Sequence, residues 1–245
     1  MIDNRPEAEP TGETEMALFD VVIDVSDANG ETAWPRVAAS GVRVAMIKAT
    51  QGATFRAHRW EANRAGAQAA GIRVVPYHFV TDADVAAQSA HFEAVAGLMP
   101  GMAYALDWEK CVLRDGTELT ATAEQVETMG KILTAVLGRA PLDYWGIPGN
   151  TPEPTRPSMQ DWERWVPRYR LGKIASFADM PASHQSPGAP FLFWQYTDGG
   201  RVDGIAGDVD RSVANFASVQ DLLAWCAPRA VGPMVAAPRG GTRPA

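Results

Sequence analysis

Cysteine is nearly absent from this 245-residue chain, with Cys111 and Cys226 the only two. Two thiols build neither a disulfide framework nor a metal cluster. They read as buried or partly buried thiols, and a single bridge stays open because the sequence does not give their separation in space. Histidine is scarce as well, four in all. None has a second His or Cys at ligand spacing, so no zinc site is expected. A Gly-x-Ser-x-Gly elbow and a phosphate-cradling loop are also missing. Long apolar runs are missing too, which excludes a membrane-spanning helix. The first residues are polar and acidic and lack the basic start and apolar stretch of a secretory signal. Cations are in deficit: 22 Lys and Arg against 29 Asp and Glu leave a net charge of −7. With no basic stripe, nucleic acid is excluded as a partner. The same acidity gives no long-range attraction to an anionic polymer, so such a ligand would have to be held by short-range contacts in a groove.

Hydrophobic residues make up 46% of the chain, which suits one globular domain with loose ends. Residues 1–16 hold five acidic residues, two prolines and no apolar periodicity, and are expected to be a disordered lead. Residues 228–245, rich in proline, glycine and alanine, are expected to be a flexible tail. The folded unit is placed at 17–227, without internal repeats.

Within that unit short apolar runs alternate with helical patterns. Strands are expected at 18–25, 42–48, 72–80 and 103–108, with weaker ones at 142–145, 171–176 and 191–196. Helices are expected at 58–70, 82–98 and 120–137, the first and last stopping at Gly71 and Gly138. Near-continuous apolar strands separated by helices imply a parallel sheet covered on both faces. Seven or eight of them in one domain point to an α/β fold of the closed, TIM-like barrel type, irregular in its late strands where helices are lacking.

In such a barrel functional groups gather at the C-terminal ends of strands. Acidic residues recur there: Asp24 in Ile23-Asp24-Val25-Ser26, Asp107 and Glu109 in Leu106-Asp107-Trp108-Glu109, and Asp210 in Gly207-Asp208-Val209-Asp210. Residues two apart in a strand point the same way, so Asp107 and Glu109 would share one site. Like charges held close raise the pKa of one carboxyl, which then serves as a general acid while the other stays ionised. Glycoside cleavage, with its oxocarbenium-like transition state, uses such a pair. Taken singly, an Asp-x-Glu at a strand end is as well explained by a cap or an ion pair. Trp108, Tyr144, Trp145, Trp165, Tyr169, Trp194 and Tyr196 cluster in the same regions, and about half of these are expected to be core rather than sugar platforms. His78 reads as a satisfied core residue.

These segments resemble glycoside hydrolase family 25, the lysozymes often found in bacteria and their phages. Ile23-Asp24-Val25-Ser26 resembles the family's first-strand Asp-x-Ser. Ile47-Lys48-Ala49-Thr50-Gln51-Gly52 resembles its Lys-Ala-Thr-Glu-Gly. Pro76-Tyr77-His78-Phe79 resembles its Ala-Tyr-His-Phe, and Leu106-Asp107-Trp108-Glu109 its Leu-Asp-x-Glu. Phe193-Trp194-Gln195-Tyr196-Thr197, with Val202-Asp203-Gly204-Ile205 and Val209-Asp210, resembles its closing segment. The matches run in order from 20 to 213. The resemblance implies an irregular barrel of about eight strands and five helices. It implies cleavage of the β-1,4 bond after N-acetylmuramic acid in peptidoglycan, with no metal or organic cofactor. Glu109 would be general acid and then base, Asp107 would orient substrate or stabilise charge, and Asp24 and Asp210 would complete the acidic rim. Tyr77 and Tyr144 would contact sugar, with Trp194, Gln195 and Tyr196 lining the substrate wall. A monomer acting at the bacterial wall is expected, without membrane insertion. The lack of a visible signal peptide suits phage-mediated release or another non-signal export. A non-catalytic wall-binding module and a chitinase-type barrel are the alternatives. The chain departs from the family pattern at Asn29, Gln51 and Ser212, where Gln, Glu and Asn are usual, and residues 146–164 read as a long loop of its own.

Overall fold

Strand β1 (Ala17–Val25) sends successive side chains to opposite faces, and that alternation organises the molecule. Val22 joins one apolar cluster with Val44, Met46, Val75, Ala105, Leu142, Trp165 and Phe193. Ile23 and Val25 join another with Ala45, Ile47, Leu106 and the helix residues Trp60, Phe92, Val126 and Leu133. The first cluster fills a barrel and the second lies between the barrel wall and its helices. The computed structural model describes residues 16–145, 159 and 161–230.

The wall comprises β1, β2 (Val44–Gln51), β4 (Arg73–Phe79), β5 (Ala105–Trp108), β6 (Leu142–Trp145), β7 (Glu163–Pro167), β8 (Phe193–Gly200) and β9 (Val209–Phe216), with the two-residue β3 (Phe55–Arg56) hung on β2. Pairing of β1 with β2 closes the ring at eight strands. All neighbours are parallel except β9, which runs antiparallel to both β8 and β1. Between β7 and β9 the described residues hold two short 3-10 helices and no α-helix, the irregularity expected of the late half, whereas the reversal of β9 departs from the parallel sheet expected.

Among the described residues five α-helices have defined bounds: α1 (Trp34–Ala39), α2 (Trp60–Ala69), α3 (Val85–Ala96), α4 (Ala123–Leu137) and α5 (Val219–Cys226). Thr122 starts α4 with a capping box, its hydroxyl accepting from Gln125 N at 3.2 Å while the Gln125 side chain accepts from Thr122 N at 2.9 Å. Gly138 ends α4 at φ 67°, a left-handed geometry that glycine adopts without strain. None of the described helices is long and apolar enough to cross a membrane.

Three expectations need correction. The run 171–176 is not a strand; its place in the wall is taken by Glu163–Pro167, whose first two residues had been assigned to the 146–164 loop. In that strand only Trp165 is fully packed into the barrel, so no apolar run announces it. Strand β9, whose burial does not alternate, and the short α1 and α5 are elements beyond those expected. The packed chain also continues past 227, since Arg229 N donates to Gly101 O at 2.9 Å. The expected lead and the rest of the expected tail lie outside the described residues, as does most of the 146–164 segment. Both cysteines are buried free thiols.

Candidate active site

The C-terminal ends of the parallel strands form one mouth of the barrel, and the four acids named from the sequence meet there. Asp24 stands opposite Asp210 in the β1–β9 ladder. Asp107, the third residue of β5, pairs with Phe79 of β4 on one side and Tyr144 of β6 on the other. Glu109 follows one residue after the strand ends. Asp24 and Asp107 are buried, at 8% and 6% exposure, whereas Glu109 and Asp210 are half-buried.

Burial dominates the electrostatics. It raises the Asp107 carboxyl well above the usual range, the charge of Glu109 adds to that, and Lys48 opposes it. Burial also raises Glu109, with Lys48 opposing and Asp210 adding. Burial and the charge of Asp210 raise Asp24 well above its ordinary value, while its hydrogen bond from Gln195 works the other way. Burial raises Asp210, and a hydrogen bond with Asp24 counters it. Burial and neighbouring negative charge thus keep protons in the mouth at pH values where exposed carboxylates have none. One oxygen of Asp107 is buried without a hydrogen-bond partner among the described residues.

Gln195 of β8 ties the aromatic and acidic halves together. Its Oε1 accepts from the hydroxyls of Tyr144 at 3.0 Å and Tyr169 at 2.7 Å, and its Nε2 donates to Asp24 Oδ2 at 2.9 Å. Tyr144 packs edge-on to Trp165 at 4.5 Å, and Trp165 Nε1 donates to Ser212 Oγ at 3.0 Å. Tyr77 faces the same acids, and burial together with the charges of Asp107 and Asp24 keeps its phenol protonated.

The structure separates Trp194 and Tyr196 from this group. Residues 194, 195 and 196 are consecutive in a strand, so only the middle one shares the barrel's inner face. Trp194 and Tyr196 are fully buried on the outer face with Met180 and Val213. Trp194 Nε1 donates to Arg168 O at 2.8 Å, and the Tyr196 hydroxyl donates to Asp20 Oδ1 at 2.9 Å. Trp108 also faces outward, stacked on Trp145 at 6.3 Å. His78 is a core residue, held by Thr50 Oγ1 at 2.7 Å and Gln88 at 3.2 Å. Read from the sequence, Lys48 has no role of its own, although a lone charge inside the apolar strand β2 signals that its side chain faces a polar site. Tyr169, one of the clustered aromatics and 46% exposed, joins the mouth through Gln195.

The chain is similar to known proteins. The model of the family "Glycosyl hydrolases family 25" matches residues 23–205, a span that includes Asp24, Asp107 and Glu109 and stops short of Asp210. The autolytic lysozyme of Clostridium acetobutylicum is 25% identical over 191 residues, 77% of this chain and 53% of that protein. Lysozyme M1 of Streptomyces globisporus is 27% identical over 218 residues, 79% of this chain and 67% of that protein. The chain thus spans about half the length of the first relative and two thirds of the second. The crystal structure of the bacterial lysozyme from Streptomyces coelicolor superposes with a TM-score of 0.67 at 27% identity, over 83% of this chain and 95% of that one.

Proposed function

The chain belongs to glycosyl hydrolases family 25, and on that premise we propose that it is a muramidase, cutting the β-1,4 bond between N-acetylmuramic acid and N-acetylglucosamine in bacterial peptidoglycan. Its catalytic barrel is built on residues 17–227, with Arg229 still packed against it, working as a monomer at the cell wall. The observation that carries the reading is the inequality of Asp107 and Glu109. Two residues apart on one strand end, one is buried with an oxygen unpartnered and the other is half-exposed.

Glu109 is the acid that a substrate can reach. Burial keeps its proton on toward neutral pH, so it protonates the bridging oxygen as the bond breaks and then takes a proton from the incoming water. Positive charge grows at the anomeric centre during cleavage. The negative charge left on the Asp107, Asp24 and Asp210 group stabilises it, more strongly than in water because Asp107 and Asp24 are buried. Asp107, buried behind Glu109, orients the sugar's acetamido group or stabilises its charge through its field rather than by exposure. Tyr77 and Tyr144 offer ring faces and hydroxyl edges to the sugar. Gln195 holds Asp24 rather than substrate.

Digestion of purified peptidoglycan followed by mass spectrometry of the fragments tests the reading, because the fragments show which bond breaks. New N-acetylmuramic acid reducing ends are expected from the wild type, and none from Glu109→Gln with an unchanged melting curve. Wall pelleting without cleavage would make the chain a binding module, and cleavage of chitin oligomers alone would make it a chitinase-type enzyme.

A further inference from the structure

A lysine in the middle of an apolar strand needs a physical reason. In β2 the residues around Lys48, from Val44 to Ile47 and Ala49 to Thr50, are all buried. The Lys48 ammonium is fixed by two contacts. It lies 4.5 Å from the centre of the Phe79 ring, a favourable place for a cation, and it donates to Gln51 Oε1 at 2.8 Å. Phe79 is in register with Asp107 on the next strand. The Gln51 amide nitrogen faces Cys111 Sγ at 3.7 Å, two residues beyond Glu109. These contacts hold the ammonium on the side of Asp107 of β5 and of the segment after it that carries Glu109, and its hydrogen-bond acceptor is a neutral amide.

We propose that Lys48 is the positioning residue for the site's proton: bonded to the neutral Gln51, its ammonium keeps its whole charge for Asp107 and Glu109 and decides the pH range in which one is ionised while the other is protonated. The inference rests on the reading of these two as the working pair. The groups facing Lys48 are Asp107, Glu109 and Cys111 from β5 and the loop after it, and Asp27 from the loop after β1. Asp27 is already engaged by the backbone N–H groups of His58 and Arg59, each at 2.9 Å, and burial raises the Cys111 thiol so that it stays neutral. Glu109 in turn faces Lys48 and Asp210, and Asp107 faces Glu109, Lys48 and Asp210. Lys48 is the group that opposes burial at both. A carboxylate at position 51 would pair with the ammonium and cancel much of its field.

The test is a carboxyl titration followed by NMR on protein labelled with 13C-glutamate, with the Glu109 signal assigned by its loss in Glu109→Gln. Gln51→Glu is expected to move the Glu109 midpoint up by about one pH unit, and Lys48→Met to move it the same way. Lys48→Arg, which keeps the charge, is expected to leave it near the wild-type position. The alkaline limb of the cleavage profile should follow the midpoint. A wild-type midpoint in Gln51→Glu overturns the inference even if Lys48→Met does not fold. Because the titration is read without substrate, a wild type that cleaves nothing would sink the proposed function alone, and a moving limb with an unmoved Glu109 signal would sink this inference alone.

Discussion

Asp24 and Asp210 face each other across the only seam where β1 meets an antiparallel neighbour, and the charge of Asp210 raises the pKa of the buried Asp24. The reversal of β9 brings an acid from the end of the chain to the mouth formed by the first strand. Like charges so placed cannot both ionise without raising a pKa.

Removing one of them should change the pH profile in a defined direction. The charge of Asp210 helps hold the proton on Glu109. In Asp210→Asn that help is gone, so Glu109 loses its proton at lower pH. The alkaline limb of kcat/KM on soluble peptidoglycan fragments is expected to move down. A limb that moves up, or stays, would show that Asp210 does not act on the general acid.

Gln195 supplies the hydrogen bond that favours ionised Asp24. A hydrogen bond to a charged group contributes about 1.5–3 kcal/mol, so Gln195→Leu should lower kcat by about 10- to 100-fold. Steady-state kinetics beside a thermal melt would check it. An equal loss confined to KM would mean that Gln195 binds sugar instead.

Tyr196 offers the contrasting case. Its hydroxyl bonds Asp20, which also pairs with Arg211 at 2.8 Å. Tyr196→Phe should cost about 1–2 kcal/mol of stability and leave kcat/KM per folded molecule unchanged. Denaturant unfolding and kinetics on one preparation decide between this structural role and a substrate-binding one.

Asp143 should give the fold a pH slope unrelated to catalysis. It lies on the outer face of β6, buried with one oxygen unpartnered, and burial raises its pKa to about 7 against the pull of Arg164. The folded state thus keeps a proton that the unfolded chain has lost. Stability is full below about pH 4 and falls as pH rises to about 7, by on the order of 4 kcal/mol. Melting curves across that window should show the slope in the wild type and a flatter one in Asp143→Asn. Equal slopes would remove Asp143 as its source.

How much of this was legible in the sequence differs residue by residue. The barrel class, five of the strands nearly to their ends, and the positions of Asp24, Asp107, Glu109 and Asp210 followed from apolar runs and acids at strand ends, because buried parallel strands and their C-terminal mouths leave a local trace. Strand β7 left none, since one inward tryptophan satisfies its packing. The grouping of Trp194, Gln195 and Tyr196 failed on the period of two in a strand, which becomes decisive only once the register is known.

By itself the sequence determined which groups could do chemistry and which end of the barrel would carry them, since periodicity and residue type are local properties. Which acids face each other, which amide holds Asp24 and which cation stands beside Glu109 were decided by tertiary structure alone. Those relations join residues 171 positions apart in the case of Asp24 and Gln195. They depend on burial, which no single segment can specify.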